Sequence, residues 1–186
     1  MSEQLNTEEV LKVLAKADLL HSEQEILLAI EGMAADINQQ LADKQPLCLP
    51  VMIGGLILAG QLLPRLDFPL VIDYIHASRY LGNTSGSTLN WIKQPTADLS
   101  DKTVLIIDDI LDEGLTLQAI VKYCQDAGVK EVLTAVLVEK QLDSRPGLQQ
   151  ADFTGLTVPN RYVFGYGMDY QEQLRYVPGI YAVHGL

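Results

Sequence analysis

The chain has 186 residues, which fits one domain with at most a small appended subdomain. Apolar residues make up 48% of it, and the formal net charge of −11 argues against nonspecific binding to nucleic acid or to an anionic membrane. The two cysteines form no C-x-x-C motif, so we expect reduced core thiols rather than a zinc or redox site. The N-terminus is polar and the longest apolar stretch is broken by proline and glycine. We therefore expect a cytoplasmic protein with no membrane segment and no nucleic-acid partner.

The predicted elements alternate between helices and strands, as in an α/β fold. Ser22 and Glu25 form a capping box at the start of the second helix. Pro50 weakens the first predicted strand, because proline cannot donate to a ladder. The polar, glycine-bearing stretch 78–88 is either a lid or a flexible connector. The predicted order is helix 7–19, helix 23–41, strand 47–53, helix 56–63, strand 70–77, strand 89–93, strand 104–107, helix 117–124 and strand 131–139.

The most informative stretch reads K-T-V-L-I-I-D-D-I-L-D-E-G-L-T and spans residues 102–116. It predicts an apolar strand, an acid pair, a glycine turn and a helix, an order that places the acids where open parallel sheets bind ligands. Carboxylates only accept hydrogen bonds, so Asp108 and Asp109 suit a vicinal diol such as that of ribose. Gly114 permits a tight turn, and the amides at the helix start, with the Thr116 hydroxyl, suit a phosphate. Together these features indicate a phosphorylated sugar as ligand.

The same stretch has a structural alternative, because a buried strand that ends in solvated acids is common in α/β proteins. Two functional alternatives are disfavoured by missing motifs. A P-loop nucleotide hydrolase needs G-x-x-x-x-G-K-[ST], and a dinucleotide-binding fold needs G-x-G-x-x-G after its first strand. The sequence contains neither motif.

The run V-L-I-I-D-D-I-L-D-E-G-L-T-L resembles the phosphoribosyl pyrophosphate motif of type I phosphoribosyltransferases. The resemblance implies an α/β fold with a parallel-sheet core at about residues 46–139. A small hood would come from residues 1–45 and 140–186. It also implies that Asp112 is the general base that interacts with purine N7. The implied ribose and phosphoribosyl pyrophosphate site consists of Asp108, Asp109, Asp112, Glu113, Gly114, Leu115 and Thr116.

Two other segments take roles from the same resemblance. Gly54 and Gly55 form a strand-to-helix turn whose amides can face an anion, and by resemblance this turn binds pyrophosphate. Family members often carry a basic residue before these glycines, whereas this chain has Ile53. The family also closes a mobile loop over the reaction centre, which implies a lid here with Arg79 and Tyr80 at the place of the usual Ser-Tyr.

The C-terminal run V-P-N-R-Y-V-F-G-Y-G-M-D-Y resembles the base-binding segment of hypoxanthine-guanine phosphoribosyltransferases. The match implies that Tyr162 stacks on the purine and that the Val163 backbone meets its edge. It places Asp169 near the base and a metal, and Arg175 at the pyrophosphate. Lys140, at the end of a predicted strand, matches the lysine that hydrogen-bonds the 6-oxo group.

These resemblances imply transfer of a phosphoribosyl group from phosphoribosyl pyrophosphate to N9 of a 6-oxopurine, hypoxanthine or guanine. Mg²⁺ is the implied cofactor, with Asp108, Asp109 and Asp169 as its expected ligands. We expect a homodimer or homotetramer. Two alternatives stay open: a nucleotide-binding regulatory protein without catalysis, and a xanthine-preferring enzyme of the same fold.

Three residues depart from the family pattern, in which Thr, Lys and Glu are frequent at the positions of Glu113, Leu115 and Asp108. A carboxylate in a phosphate cradle repels the ligand, so we expect Glu113 to face solvent or a basic neighbour. The shorter Asp108 would reach the ribose through water. His76 and His184 have no evident partners in the sequence and are expected to be structural.

Overall fold

The structure is a computed structural model that describes residues 6–79 and 89–185. Its elements in chain order are α1 Thr7–Lys16, β1 Asp18–His21, α2 Glu23–Leu41, β2 Leu47–Met52, α3 Gly55–Leu62, a 3-10 turn Leu63–Arg65, β3 Val71–Ile72, β4 Ile75–Arg79, β5 Leu89–Lys93, β6 Thr103–Leu111, α4 Leu115–Asp126, β7 Glu131–Lys140, β8 Phe153–Val158, β9 Val163–Phe164 and β10 Ile180–Ala182.

The main sheet has seven strands, with β5, β4, β2, β6, β7 and β8 side by side and β3 next to the start of β2. Only β5 runs antiparallel to its neighbour; the other pairs in this sheet are parallel. The central strand β6 is apolar on both faces because helices cover both sides, as is usual for parallel sheets. The predicted α/β fold with a parallel-sheet core is confirmed.

Alternation along β6 divides the core into two layers. Leu105 and Ile107 point into the layer shared with α2 and α3. Val104 and Ile106 point into the layer shared with α4. The part of β6 that leads to the acid pair is therefore packed against apolar side chains on both faces.

A second, three-stranded antiparallel sheet joins the two ends of the chain, with β10 between β1 and β9. A small apolar cluster connects it to α1 and includes Val10, Phe164 and Val177. We propose that this sheet is the hood expected from the sequence, since it draws on both terminal segments.

Two strand boundaries differ from the sequence predictions. Strand β6 does not stop before the acid pair but continues to Leu111, because β7 pairs with it as far as Glu139. Asp108 and Asp109 therefore lie inside the strand. The first helix ends at Lys16 rather than at residue 19, because residues 18–21 pair with β10 at the far end of the chain.

The predicted strand 70–77 is broken into β3 and β4 at Asp73 and Tyr74. The Asp73 carboxylate accepts hydrogen bonds from the backbone N–H groups of Tyr74, Thr96 and Ala97 and from the Lys93 ammonium, at 2.6–3.1 Å. Burial alone would raise the pKa of Asp73, but these hydrogen bonds outweigh it and hold the pKa well below the usual value. The carboxylate thus competes with the β-ladder for backbone N–H groups. It also connects the break between β3 and β4 to the segment that follows β5.

This break also explains how Pro50 fits inside a central strand. The carbonyls of Pro46 and Cys48 accept from the N–H groups of Val71 and Asp73, so the backbone polar groups of even-numbered residues in β2 point toward β3. By alternation the backbone nitrogen of Pro50 faces the break between β3 and β4, where the ladder lacks a regular partner. Its missing N–H therefore costs little.

Two expectations from composition can be checked directly. Cys48 and Cys124 are free and buried in the core, as predicted. Among the described residues, none of the helices combines the length and apolar character needed to cross a membrane.

Candidate active site

One cavity of about 930 Å³ opens where β2, β6 and β7 end. Its wall contains most of the residues singled out from the sequence. They are Gly54, Asp108, Asp109, Asp112, Glu113, Gly114, Leu115, Thr116, Lys140, Tyr162, Val163, Asp169 and Arg175. Segments that are distant in sequence therefore meet at one edge of the sheet, where parallel α/β folds place their ligands.

Gly55 and the two predicted lid residues, Arg79 and Tyr80, are the remaining positions. Gly55 is packed behind the wall, where an added Cβ would lie 2.5 Å from the carbonyl oxygen of Ile107. Arg79 is the last residue of β4, but its side chain and the whole of Tyr80 lie outside what the structure describes. The lid therefore stays a prediction.

The acid pair is buried at the floor of the cavity. The backbone N–H of Asp109 donates to Oδ1 of Asp108 at 2.9 Å. Burial, followed by the charge of Asp109, raises the pKa of Asp108 well above its usual value, and burial also raises the pKa of Asp109. Two buried neighbouring carboxylates are costly without partners, so the pair is poised to accept hydroxyl donors or a cation.

The glycine turn after β6 is shaped by Gly114, whose φ of 75° lies in the left-handed region that suits glycine. The segment after β7 supports the turn from behind, because Gly147 N–H donates to the Glu113 carbonyl at 2.9 Å and Leu148 N–H to the Gly114 carbonyl at 3.1 Å. The first N–H groups of α4 have no acceptor within their own helix. They lie in the cavity wall, where they are suited to an anion.

Glu113 is exposed and lines the cavity at this turn. The expected direction of its carboxylate, toward solvent or a basic neighbour, stays a prediction. Leu115 also lines the cavity, so neither position supplies a cationic side chain to the turn. At this turn the described residues offer backbone groups and the Thr116 hydroxyl to bind a phosphate.

Asp112 and Lys140 meet across the ends of two adjacent strands. Leu111 is in register with Glu139, so the next residues of the two strands are neighbours. The Lys140 ammonium donates to Oδ2 of Asp112 at 2.6 Å. The lysine side chain is only 11% exposed, whereas that of Asp112 is 46% exposed. A buried cation is thus held by a carboxylate that is open to the cavity.

Arg175 and Asp169 form a second ion pair, at 2.6 Å. Arg175 also donates to the Gly167 carbonyl at 2.6 Å and lies 4.0 Å from Oδ2 of Asp109. The other oxygen of Asp169 accepts from the Glu172 N–H at 2.8 Å. This network connects the C-terminal segment to the acid pair.

Tyr162 offers a partly exposed ring to the cavity. It packs edge-on against Tyr170, with ring centroids 5.6 Å apart. Burial, followed by the charge of Asp169, raises the pKa of Tyr162, so its phenol is neutral at physiological pH. The next residue, Val163, is fixed by β9, which pairs with β10 at Ala182. A fixed aromatic face of this kind is suited to stacking with a planar ring.

Sequence reasoning missed several residues of the wall. His76 is expected to be structural, yet it lines the cavity, because this β4 residue pairs with Met52 at the end of β2. Ile92 and Met168 are also in the wall. Their position depends on the pairing of distant strands, so no local pattern identifies them. The one available signal is that His76 lies next to the last residue of the predicted strand 70–77.

A protein-family comparison matches residues 16–172 to the phosphoribosyl transferase domain. The parallel sheet, the buried acid pair and the glycine turn at its carboxyl edge define this class of protein. A hypoxanthine-guanine phosphoribosyltransferase of Staphylococcus epidermidis is 33% identical over 164 residues, which cover 88% of this chain and 91% of the relative. The hypoxanthine-guanine-xanthine enzyme of Tritrichomonas foetus is 30% identical over 162 residues, covering 87% and 88%.

Comparison with solved structures finds similarity to the same class of enzymes. The crystal structure of a hypoxanthine phosphoribosyltransferase from Staphylococcus aureus has 28% sequence identity and a TM-score of 0.85, and the match covers 97% of this chain and 96% of that one. The chain belongs to the hypoxanthine-guanine phosphoribosyltransferase family.

Proposed function

We propose that this protein transfers the 5-phosphoribosyl group of phosphoribosyl pyrophosphate to N9 of hypoxanthine or guanine, which yields IMP or GMP and pyrophosphate. One observation carries the proposal: Lys140 and Asp112 lie in contact in the same cavity as the buried acid pair and the glycine turn. A sugar-phosphate site and a site suited to a 6-oxopurine are therefore adjacent. The names of the relatives support the same reaction class.

The sugar phosphate would bind at the turn after β6. Asp108 and Asp109 would accept hydrogen bonds from the ribose diol, directly or through water. The amides of the turn and the first residues of α4, with the Thr116 hydroxyl, would hold the 5′-phosphate. Gly54 and Arg175 would face the pyrophosphate. As the C1–O bond stretches, nearby carboxylates would stabilise positive charge developing on the ribose.

The base would lie between Tyr162 and Lys140. Tyr162 would stack on the purine, the Val163 backbone would contact its edge, and Lys140 would donate to the 6-oxo group. Asp112 would interact with N7 as N9 attacks the anomeric carbon. Adenine presents a 6-amino donor to the Lys140 ammonium, so two donors would face each other with no acceptor between them. We therefore expect the enzyme to reject adenine strongly.

The charge of the wall supports Mg²⁺ as the cofactor. In the part of the wall that the structure describes, the Lys140 and Arg175 side chains already pair with carboxylates, Lys140 with Asp112 and Arg175 with Asp169. A pyrophosphate ester would thus meet a net negative surface. Carboxylates together with substrate oxygens are the donor set that Mg²⁺ prefers, and one or two of Asp108, Asp109 and Asp169 would supply the protein part of it. When bound, the ion neutralises charge on the leaving pyrophosphate.

Among the described residues, no group of three His, Cys, Asp or Glu side chains is arranged to hold a metal ion by itself. The proposed Mg²⁺ would therefore enter with the substrate, since such ions commonly use one or two carboxylates plus phosphate oxygens. Titration of the protein with Mg²⁺, with and without phosphoribosyl pyrophosphate, tests this. Tight Mg²⁺ binding by the protein alone would contradict it.

The decisive experiment is a comparison of bases. The purified protein is incubated with phosphoribosyl pyrophosphate, Mg²⁺ and either hypoxanthine, guanine, xanthine or adenine, and nucleotide formation is followed by absorbance. We expect product with hypoxanthine or guanine and none with adenine. No product with any 6-oxopurine would refute the proposal and favour a nucleotide-binding protein without catalysis. Efficient use of adenine would refute the role of Lys140.

Xanthine is the second candidate substrate. The relative from Tritrichomonas foetus carries xanthine in its name and matches most of this chain. Preference among the three 6-oxopurines would depend on how the backbone near Val163 and Asp169 meets the substituent at C2. The same assay ranks them by kcat/KM.

We further propose that the protein forms a homodimer or homotetramer and acts in the cytoplasm. The exposed apolar side chains of Val71 and Ile72 on β3 support self-association, because burying such a surface against another subunit is favourable. A phosphorylated sugar substrate does not diffuse through a lipid bilayer, which supports a location where it is made. Light scattering of the purified protein measures the assembly, and a monomer at all concentrations would contradict it.

A further inference from the structure

Arg145 is a buried arginine next to the proposed site, and no sequence motif assigns it a role. It follows β7 in the loop that leads to β8, and its side chain is only 7% exposed. It does not line the cavity. Burying a guanidinium requires several acceptors, so its partners indicate what it holds in place.

Two of its four acceptors belong to residues that the proposed reaction uses. Nε donates to the backbone carbonyl of Asp112 at 2.6 Å, and Nη2 donates to the backbone carbonyl of Lys140 at 2.7 Å. Nη1 donates to the carbonyl of Gln149 and to the carboxylate of Glu139, the latter at 3.3 Å. One planar group therefore joins the backbones of Asp112 and Lys140 from outside the cavity, while their side chains meet inside it.

The loop that carries Arg145 is itself closed. The Gln149 side-chain amide donates to the carbonyls of Arg145 and Gly147, at 2.7 and 2.8 Å. A Cβ at Gly147 would overlap the backbone at Gly114, so the loop contacts the glycine turn without a gap. Arg145 is thus a fixed point rather than a mobile surface side chain.

We propose that Arg145 is a positioning residue, which sets the separation between the general base Asp112 and the 6-oxo donor Lys140. The inference rests on the proposed function. The two residues sit at the ends of different strands, and no backbone hydrogen bond between them is required by the β6–β7 ladder, whose last register pair is Leu111 with Glu139. The guanidinium supplies this link. Arg suits the task because its rigid fork serves several carbonyls at once, whereas a lysine cannot.

The test is Arg145→Lys, which keeps the positive charge and removes the fork. We expect kcat/KM for hypoxanthine to fall by on the order of 10²-fold, because misplacement of reacting groups by about 1 Å has that effect. KM for phosphoribosyl pyrophosphate should stay within about threefold, since the turn keeps its contacts with Gly147 and Leu148. The ratio of kcat/KM for hypoxanthine to that for unsubstituted purine should also fall. A purely structural role would leave that ratio unchanged.

Arg65→Lys is the matched control, because Arg65 is also a partly buried arginine that donates to a backbone carbonyl, that of Gln61, but lies outside the cavity wall. Its kinetics should match those of the wild type.

Normal kinetics and a normal base ratio in Arg145→Lys would overturn the inference. If that variant does not fold, Gln149→Ala decides: reduced kcat/KM with a normal melting temperature supports the inference, and unchanged kinetics overturns it. A wild-type chain without transferase activity would instead refute the proposed function, and this inference with it.

Discussion

Replacing Asp112 with Asn tests the centre of the proposed mechanism. Asn has nearly the same shape and keeps an oxygen that can accept the hydrogen bond from Lys140, whose ammonium lies 2.6 Å from the Asp112 carboxylate. It cannot accept a proton from the base. The substitution therefore separates two roles of Asp112, the positioning of Lys140 and proton transfer.

The two roles predict different losses of activity in Asp112→Asn. The Asp112 side chain is 46% exposed, so its ion pair with Lys140 is screened, and losing the charge should cost no more than about 1 kcal/mol, or roughly fivefold in rate. Loss of general base catalysis costs about 10²–10⁴-fold, which corresponds to about 2.7–5.4 kcal/mol. We expect the larger loss, expressed in kcat at saturating hypoxanthine and phosphoribosyl pyrophosphate. The assay is a continuous absorbance measurement of IMP formation.

Asp126→Asn is the matched control. Asp126 also pairs with a lysine, Lys122, at 2.9 Å, but on the solvent face of α4. The same chemical change there should leave kcat within about twofold of the wild type, as exposed ion pairs contribute little. A kcat for Asp112→Asn within about fivefold of the wild type would show that Asp112 only positions Lys140, and the assignment of the general base would be wrong.

Other substitutions test separate parts of the structure. Gly54→Ala should abolish most activity, because the new Cβ overlaps the Asp109 carboxylate, whereas Gly60→Ala in the helix that follows, with open space around it, should keep activity and raise the melting temperature. Lys140→Met should lower the kcat/KM preference for hypoxanthine over adenine at least about tenfold; an unchanged preference would remove Lys140 from base recognition. Asp73→Asn should lower the urea-unfolding free energy by about 1–3 kcal/mol at pH 7. The folded-state pKa of Asp73 is depressed, so the difference from wild type should persist down to about pH 4 and shrink below it; a constant difference at pH 3 would contradict this.

The fold could be predicted where local pattern and tertiary structure agree. The apolar runs of β2, β6 and β7 are buried on both faces, so their composition alone identifies them. The boundaries depend on partners that the sequence does not show. Residues 18–21 are a strand only because β10, at the far end of the chain, pairs with them. Asp73 breaks a predicted strand because it accepts hydrogen bonds from a segment more than twenty residues away.

The residues of the site could likewise be predicted from the sequence where the pattern is local. Asp108, Asp109 and the turn to Thr116 form one continuous segment, so their spacing and chemistry are enough to suggest a role. Tyr162 is identified only through resemblance. Lys140 is identified through resemblance and through its place at the end of a predicted strand. Arg145 has no signal of either kind. Its importance lies in the backbone carbonyls that it contacts, and residue letters do not show which carbonyls come together.

Two glycines near the site, Gly54 and Gly167, meet a packing requirement that the sequence does not show. Gly54 is expected to offer amides to pyrophosphate, and it does line the cavity. The structure adds a packing requirement: a Cβ at Gly54 would overlap the Asp109 carboxylate, and one at Gly167 would overlap the Gly54 carbonyl. Three segments that are distant in sequence thus touch through positions without side chains. Close approach brings the acid pair, the loop after β2 and the C-terminal segment around one ligand volume, so an added methyl group at either glycine should disturb all three at once.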